Sequence, residues 1–189
     1  SWHYQARNNK LDEAGTYGYL VQGVIPSSAW QQAAKTGKYE LTAISYYAYA
    51  FINDKYDILS CGSSIGDKYG PVVIAKKTLT KADIENTVIA VPGELTTAYL
   101  ALKLWMPEAK TEVVPFDQIM QKVEDGTYTA GLIIHEGQLT YQEQGFHKVV
   151  DLGEWWFEET NLTLPLGGNA IRKDLGPELC QKIGRVLKR

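Results

Sequence analysis

The sequence predicts an α/β fold with a mainly parallel sheet, and a few observations carry that prediction. Short apolar runs alternate with capped or amphipathic segments along most of the chain. The connections between them are short. The stretch from Val88 to Ile134 falls into the order strand, helix, strand, helix, strand, which right-handed crossovers convert into parallel sheet. The 189 residues suffice for a sizeable core, in one domain or two small lobes.

The elements follow in order. "YELTAIS" reads as a strand and "YYAYAFI" as the start of a helix. "CGSSIGDKYG" is a Gly-rich turn before the short apolar strand "GPVVIAKK". "LTKADIENT" is a connection in which Thr80 caps toward Asp83. "TVIAVPG" is a strand, and "TTAYLALKLWM" a helix closed by Pro107. "TEVVPF" is the next strand. "DQIMQKVEDG" is a helix with Asp117 as its cap and Gly126 past its end. "TAGLIIH" and "HKVVDLG" are strands, "EWWFEETN" is a short helix, and "LPLGGNAIRKDL" is apolar, then extended. "GPELCQKIGRVLKR" is a helix with Pro177 in its first turn.

Composition narrows the function classes. Hydrophobic residues make up 44%, charged residues 22%, and the formal net charge is −3. That is an ordinary globular profile without the basic face that nucleic acid demands. No apolar run approaches the roughly 20 residues of a membrane span. "SWHYQARNNK" has no apolar core of a secretory signal. Cys61 and Cys180 form no Cys-x-x-Cys or Cys/His cluster, so reduced thiols, no metal and a cytoplasmic location are expected. There is no G-x-G-x-x-G opening a helix, no Walker sequence and no G-x-S-x-G elbow, so no cofactor is implied.

In an α/β sheet, ligands bind outside the carboxyl ends of strands. His135 stands at such an end, as does Ser45. Thr96 and Thr97 stand just past another, where they would open a helix whose amides and dipole attract an anion. Each also has a structural reading: His135 as a rim histidine, Ser45 and Thr96–Thr97 as helix caps. Trp155, Trp156 and Phe157 read as core or lobe-contact residues, and Gly66, Gly70, Gly167 and Gly168 as backbone punctuation. On residues alone, the chain is an α/β protein suited to a small anion.

"AGLIIHE", followed by "TYQEQGFHKVVDLGEWWFEETNLTLPLGG", resembles the 1,4-dihydroxy-6-naphtoate synthase family, the cyclic dehypoxanthine futalosine lyases of menaquinone biosynthesis. The resemblance also covers "YELTAISYYAYAFINDKYDILSCGSSIGDKYGPVVIAKK" and "VIAVPGELTTAYLALKLW". It implies a two-lobed, type II periplasmic-binding-protein-like fold with the ligand in a cleft between lobes. Residues 1–77 with 165–189 would form the first lobe and 78–164 the second. It implies a lyase acting on a small carboxylate-bearing substrate, with His135 as proton acceptor. Ala43, Ile44, Ser45, Thr96 and Thr97 would bind the substrate, although some members carry lysine where this chain has Ala43. The family pattern has a further strand and loop before "WHYQARNN" and further helices after "GRVLKR", so the chain looks shortened at both ends. Adjacent residues on a strand point to opposite faces, which gives Glu136 a structural role. Two rivals stand beside this: chorismate dehydratase of the same pathway, and a non-catalytic solute-binding protein for a small anion.

Overall fold

The structure, a computed structural model, describes residues 36–134 and 137–188. Two sheets organise them. In the first, β9 (Leu164–Arg172) is the spine on which β1 (Leu41–Ser45), β2 (Tyr56–Ile58) and β3 (Ser64–Gly66) all pair antiparallel. The second has five strands in the order β6 (Lys110–Val113), β5 (Val88–Val91), β7 (Ala130–Ile133), β4 (Val72–Ala75), β8 (His147–Asp151).

Here β5 pairs parallel with β6 and β7, whereas β4 is antiparallel to both β7 and β8. The first sheet is therefore antiparallel and the second mixed, where the alternation of elements predicted a mainly parallel sheet. The cause lies in the two crossings, residues 67–71 and 161–163. A strand that arrives from the other sheet enters at the edge facing that sheet. It must then run away from that edge, against strands whose carboxyl ends point toward it. β4 and β9 are the two arriving strands, and each opposes its neighbours. The rest of the second sheet keeps the predicted βαβαβ order and a common direction.

Apolar alternation assigns each face of the second sheet. Val73, Ile89, Val91 and Leu132 face one cluster, roofed by α3 (Thr97–Trp105) and α6 (Leu152–Thr160). Val72, Ile74, Ala90 and Ile133 face the other, closed by Ile119 and Val123 of α4 (Ile119–Glu124). β4 and β7 are buried throughout because both faces are covered. Edge strand β6 instead exposes Lys110 and Glu112, charges that discourage further strand pairing. The first sheet packs Ile44, Tyr56 and Ala170 against Ala48 of α1 (Tyr46–Tyr49) and, just beyond it, Ile52.

Caps fix the helix starts. Thr80 and Asp83 form the reciprocal box expected of them, on the one-turn α2 (Lys81–Ile84). Asp117 does not cap: it lies inside a 3₁₀ turn, Phe116–Gln118, which opens α4 without a side-chain cap. Gly126 follows that helix with φ +81°, as expected. The short α5 (Gly137–Thr140) precedes β8, and α7 (Pro177–Leu187) starts on Pro177. Lys68 and Asn161 are the non-glycine residues with left-handed backbone among those described, and each lies in a crossing. No helix among the described residues is long and apolar enough to cross a membrane.

Candidate functional site

β5 delivers the chain to the start of α3, and Thr96 caps it. The Thr96 hydroxyl accepts the Tyr99 amide at 3.1 Å and donates to the Gly93 carbonyl at 2.8 Å. The Leu100 amide bonds the Thr96 carbonyl. The amides of Thr97 and Ala98 have no acceptor inside the helix and stand at the positive end of its nine residues, on residues that are themselves buried, 6% and 3% exposed.

The first sheet meets this helix start at one row of residues. Ser45 ends β1 opposite Gly167 of β9, and Ser64 of β3 pairs with Gly167 from the other side. The Ser45 hydroxyl accepts the Ala48 amide as the cap of α1 and donates to the Leu95 carbonyl at 2.5 Å. From the other direction, the Thr97 hydroxyl donates to the Leu166 carbonyl at 2.9 Å and accepts the Tyr47 amide at 3.3 Å. The leucines match this exchange. Leu95 packs against the first sheet's cluster, and Leu166 against the cluster under α3 and α6. Ser45, Thr96 and Thr97, expected from the sequence to serve one site, thus lie together.

Their protons are spoken for. Each of these hydroxyls has one hydrogen to give, and each gives it to a backbone carbonyl. What this arrangement offers an anion is the pair of backbone amides. Ile44 is buried in the first cluster and Ala43 is exposed on the opposite face of β1. A Cβ on Gly167 would stand 2.8 Å from the Ile44 carbonyl, so the backbones can approach here only at glycine.

The same edge of the second sheet collects further strand ends. Val72 of β4 pairs with Ile133 of β7 and with Asp151 of β8, so the ends of β7 and β8 stand level. His135 and Glu136, just past β7, lie outside the described residues. Asp151, which the sequence did not single out, caps α6 by accepting the Gly153 and Glu154 amides at 2.8 and 3.1 Å. Burial pushes its carboxyl above the ordinary aspartate range, against the pull of those two amides. His147, without a local partner in sequence, places Nδ1 3.3 Å from the Thr78 hydroxyl. Trp155 and Trp156 pack, partly buried, against the cluster under α3 and α6, as do Leu166 and Tyr99.

A hollow at the amino ends of β5 and β7, lined by Thr87, Glu112 and Tyr128, suits an anion poorly. Glu112 faces it, and burial and the hydrogen bond to Glu112 together raise the Tyr128 phenol above its ordinary range. No group of His, Cys, Asp or Glu among the described residues could hold a metal ion. Cys61 and Cys180 are free thiols.

Comparison with known proteins places this geometry. A 1,4-dihydroxy-6-naphtoate synthase of Thermus thermophilus is 42% identical over 170 residues, 90% of this chain and 61% of the relative. One of Streptomyces coelicolor is 39% identical over 161 residues, 82% of this chain and 56% of the relative. The chain thus spans about three-fifths of the length of the curated relatives it matches. A crystal structure of an Archaeoglobus fulgidus protein superposes with TM-score 0.81 at 48% identity, over 85% of this chain and 60% of that one. The periplasmic aliphatic sulphonate binding protein of Escherichia coli superposes with TM-score 0.62 at 13% identity, over 86% and 58%. That last likeness establishes the fold as type II periplasmic-binding-protein-like. Residues 27–189 match the family described as "Menaquinone biosynthesis", and with the relatives' shared name and the common scaffold this chain belongs to that family.

Proposed function

We propose that this chain acts as a carbon–carbon lyase of menaquinone biosynthesis, a 1,4-dihydroxy-6-naphthoate synthase cleaving cyclic dehypoxanthine futalosine. The geometry that supports it most is the start of α3, where the Thr97 and Ala98 amides have no acceptor inside the helix and where Ser45, Leu95 and Leu166 join the sheets. A carboxylate bound by these amides would lie on the edge at which β7 ends, just before His135. The proposal gives His135 the role of general base. A rigid strand end holds an imidazole within hydrogen-bond reach of the proton it takes better than a mobile loop would.

The proposal divides the molecule into two lobes, one on each sheet, with residues 67–71 and 161–163 as hinges. β4, expected from the sequence in the first lobe, is drawn with the second because among the described residues it pairs with β7 and β8. The ligand is a small carboxylate, bound without nucleic acid, membrane or cofactor, and a cytoplasmic setting fits such a biosynthetic step.

Single-turnover cleavage of the cyclic substrate, with binding measured separately, tests this reading. His135→Asn is expected to keep substrate affinity and to slow cleavage by on the order of 10²–10⁴. The wild-type rate should fall in acid, as the imidazole takes up its proton. Near wild-type cleavage by the variant would remove His135 from the chemistry. Turnover of chorismate instead would make the chain a dehydratase, and binding without turnover of either compound a solute-binding protein.

A further inference from the structure

We propose that the paired hydroxyls of Tyr46 and Ser63 contact the ligand and select for one that carries hydroxyl groups. This rests on the anion site proposed above and deepens it. The Tyr46 and Ser63 oxygens are 2.7 Å apart and exposed to solvent. Two hydroxyls bring two hydrogens, and their mutual bond uses one. The other stays available, together with lone pairs on the exposed side. No such donor remains on Ser45, Thr96 or Thr97, whose hydrogens all go to backbone carbonyls.

Position argues the same way. Tyr46 directly follows Ser45, and Ser63 directly precedes Ser64, the two residues that flank Gly167 on the row where the sheets meet. The pair therefore borders the junction from the first sheet's side, while the α3 amides border it from the second. The backbone is shaped for it. A Cβ on Gly168 would stand 3.0 Å from the Tyr46 hydroxyl and 3.3 Å from its ring, so the phenol lies across β9 where there is no side chain. A group that both donates and accepts complements a neutral hydroxyl. A carboxylate, which only accepts, finds its donors at α3 instead.

The test compares two acids that differ in their hydroxyls. Dissociation constants of 1,4-dihydroxy-6-naphthoate and of 2-naphthoate are measured by calorimetry for the wild type, Tyr46→Phe and Ser63→Ala. Each variant is expected to weaken the dihydroxy acid by about threefold to tenfold, the worth of a neutral hydrogen bond. Affinity for 2-naphthoate should not change. The double variant should lose little beyond the larger single loss, because the hydroxyls act as a pair. Equal losses for both acids would reduce the pair to an anchor for the Tyr46 ring and overturn the proposal, as would no loss for either. Wild-type protein that binds neither acid would overturn the anion site and this assignment together. Wild-type binding of both with unselective variants would overturn this assignment alone.

Discussion

Thr97 is buried, 6% exposed, and its hydroxyl serves two backbone groups on the first sheet's side, one in α1 and one in β9. Thr97→Val keeps the shape and deletes both bonds. The Tyr47 amide and the Leu166 carbonyl then lose a partner, and an unsatisfied buried polar group costs about 1–3 kcal/mol. Urea unfolding should report a loss of that order. Thr97→Ser should restore most of it, since the hydroxyl returns. Carboxylate affinity divides differently. If the backbone amides hold the anion, Thr97→Ser binds like the wild type. A serine variant that folds normally but loses the anion would shift the contact from the amides to the threonine's shape. Ser45, Thr96 and Thr97 were legible in the sequence because a hydroxyl between an apolar strand and a helical pattern has few other uses. Tyr46 and Ser63 were not. They are separated by 17 positions, and each sits in a stretch with a sufficient local explanation, a helix start and a Gly-rich turn.

Among the elements, α6 depends most plainly on its first turn. A Cβ on Gly153 would collide with the backbone of Tyr69 and Gly70, which cannot swing aside as a side chain can. Gly153→Ala should therefore destabilise by more than the ordinary mutation, on the order of 2 kcal/mol or above, in thermal or urea unfolding. Asp151→Ala removes the cap and should cost about 1 kcal/mol, whereas Asp151→Asn keeps an acceptor and most of the cap. The two differ from wild type in pH dependence as well. The folded Asp151 carboxyl lies above its unfolded value. Its protonated form thus favours the fold, a contribution complete below the ordinary aspartate range and lost as pH rises through the raised value. Asp83 has the opposite sign. The Thr80 amide and hydroxyl lower it, so its contribution is present above the ordinary range and lost as pH falls through the lowered value. Stability followed from pH 3 to 7 should lose the first trend in Asp151→Asn and the second in Asp83→Asn. Strand and helix order from Val88 to Ile134 was legible because each run is apolar and bounded. β2 and β3 were hidden because three residues, "YDI" and "SIG", carry no periodicity, and β9 recruits them from far along the chain. Asp117 failed as a cap because Pro115 leads into a tighter turn that brings no amide to its carboxylate.

Over the whole molecule, the two sheets are joined by a reciprocal exchange. Each side sends a hydroxyl to a carbonyl of the other, Ser45 to Leu95 and Thr97 to Leu166. Each side also sends a leucine, the one whose carbonyl is used, into the other's apolar cluster. Outside this seam the chain connects the sheets through the two crossings. The 67–71 crossing is tied to α6 by the Lys68 ammonium, 4.6 Å from the centre of the Phe157 ring. Lys68 and Asn161 hold left-handed backbone at φ 59° and 55°, a conformation uncommon for residues other than glycine, in both crossings. This arrangement predicts which contacts set the angle between sheets. Removing both hydroxyls, in Ser45→Ala with Thr97→Val, leaves only apolar packing at the seam. Without ligand, the double variant should show a larger radius of gyration than wild type in X-ray scattering. Saturating carboxylate ligand should narrow the gap, because the amides of Thr97 and Ala98 remain to draw the sides together. Each single variant should fall between, and the effects should not add, since both hydroxyls act on one seam. If the double variant scatters like wild type with its stability merely reduced, the seam is held by the leucines and the hydrogen bonds only satisfy buried groups. In that case Leu95→Ala, which removes apolar packing and leaves both hydroxyl bonds, should open the molecule instead.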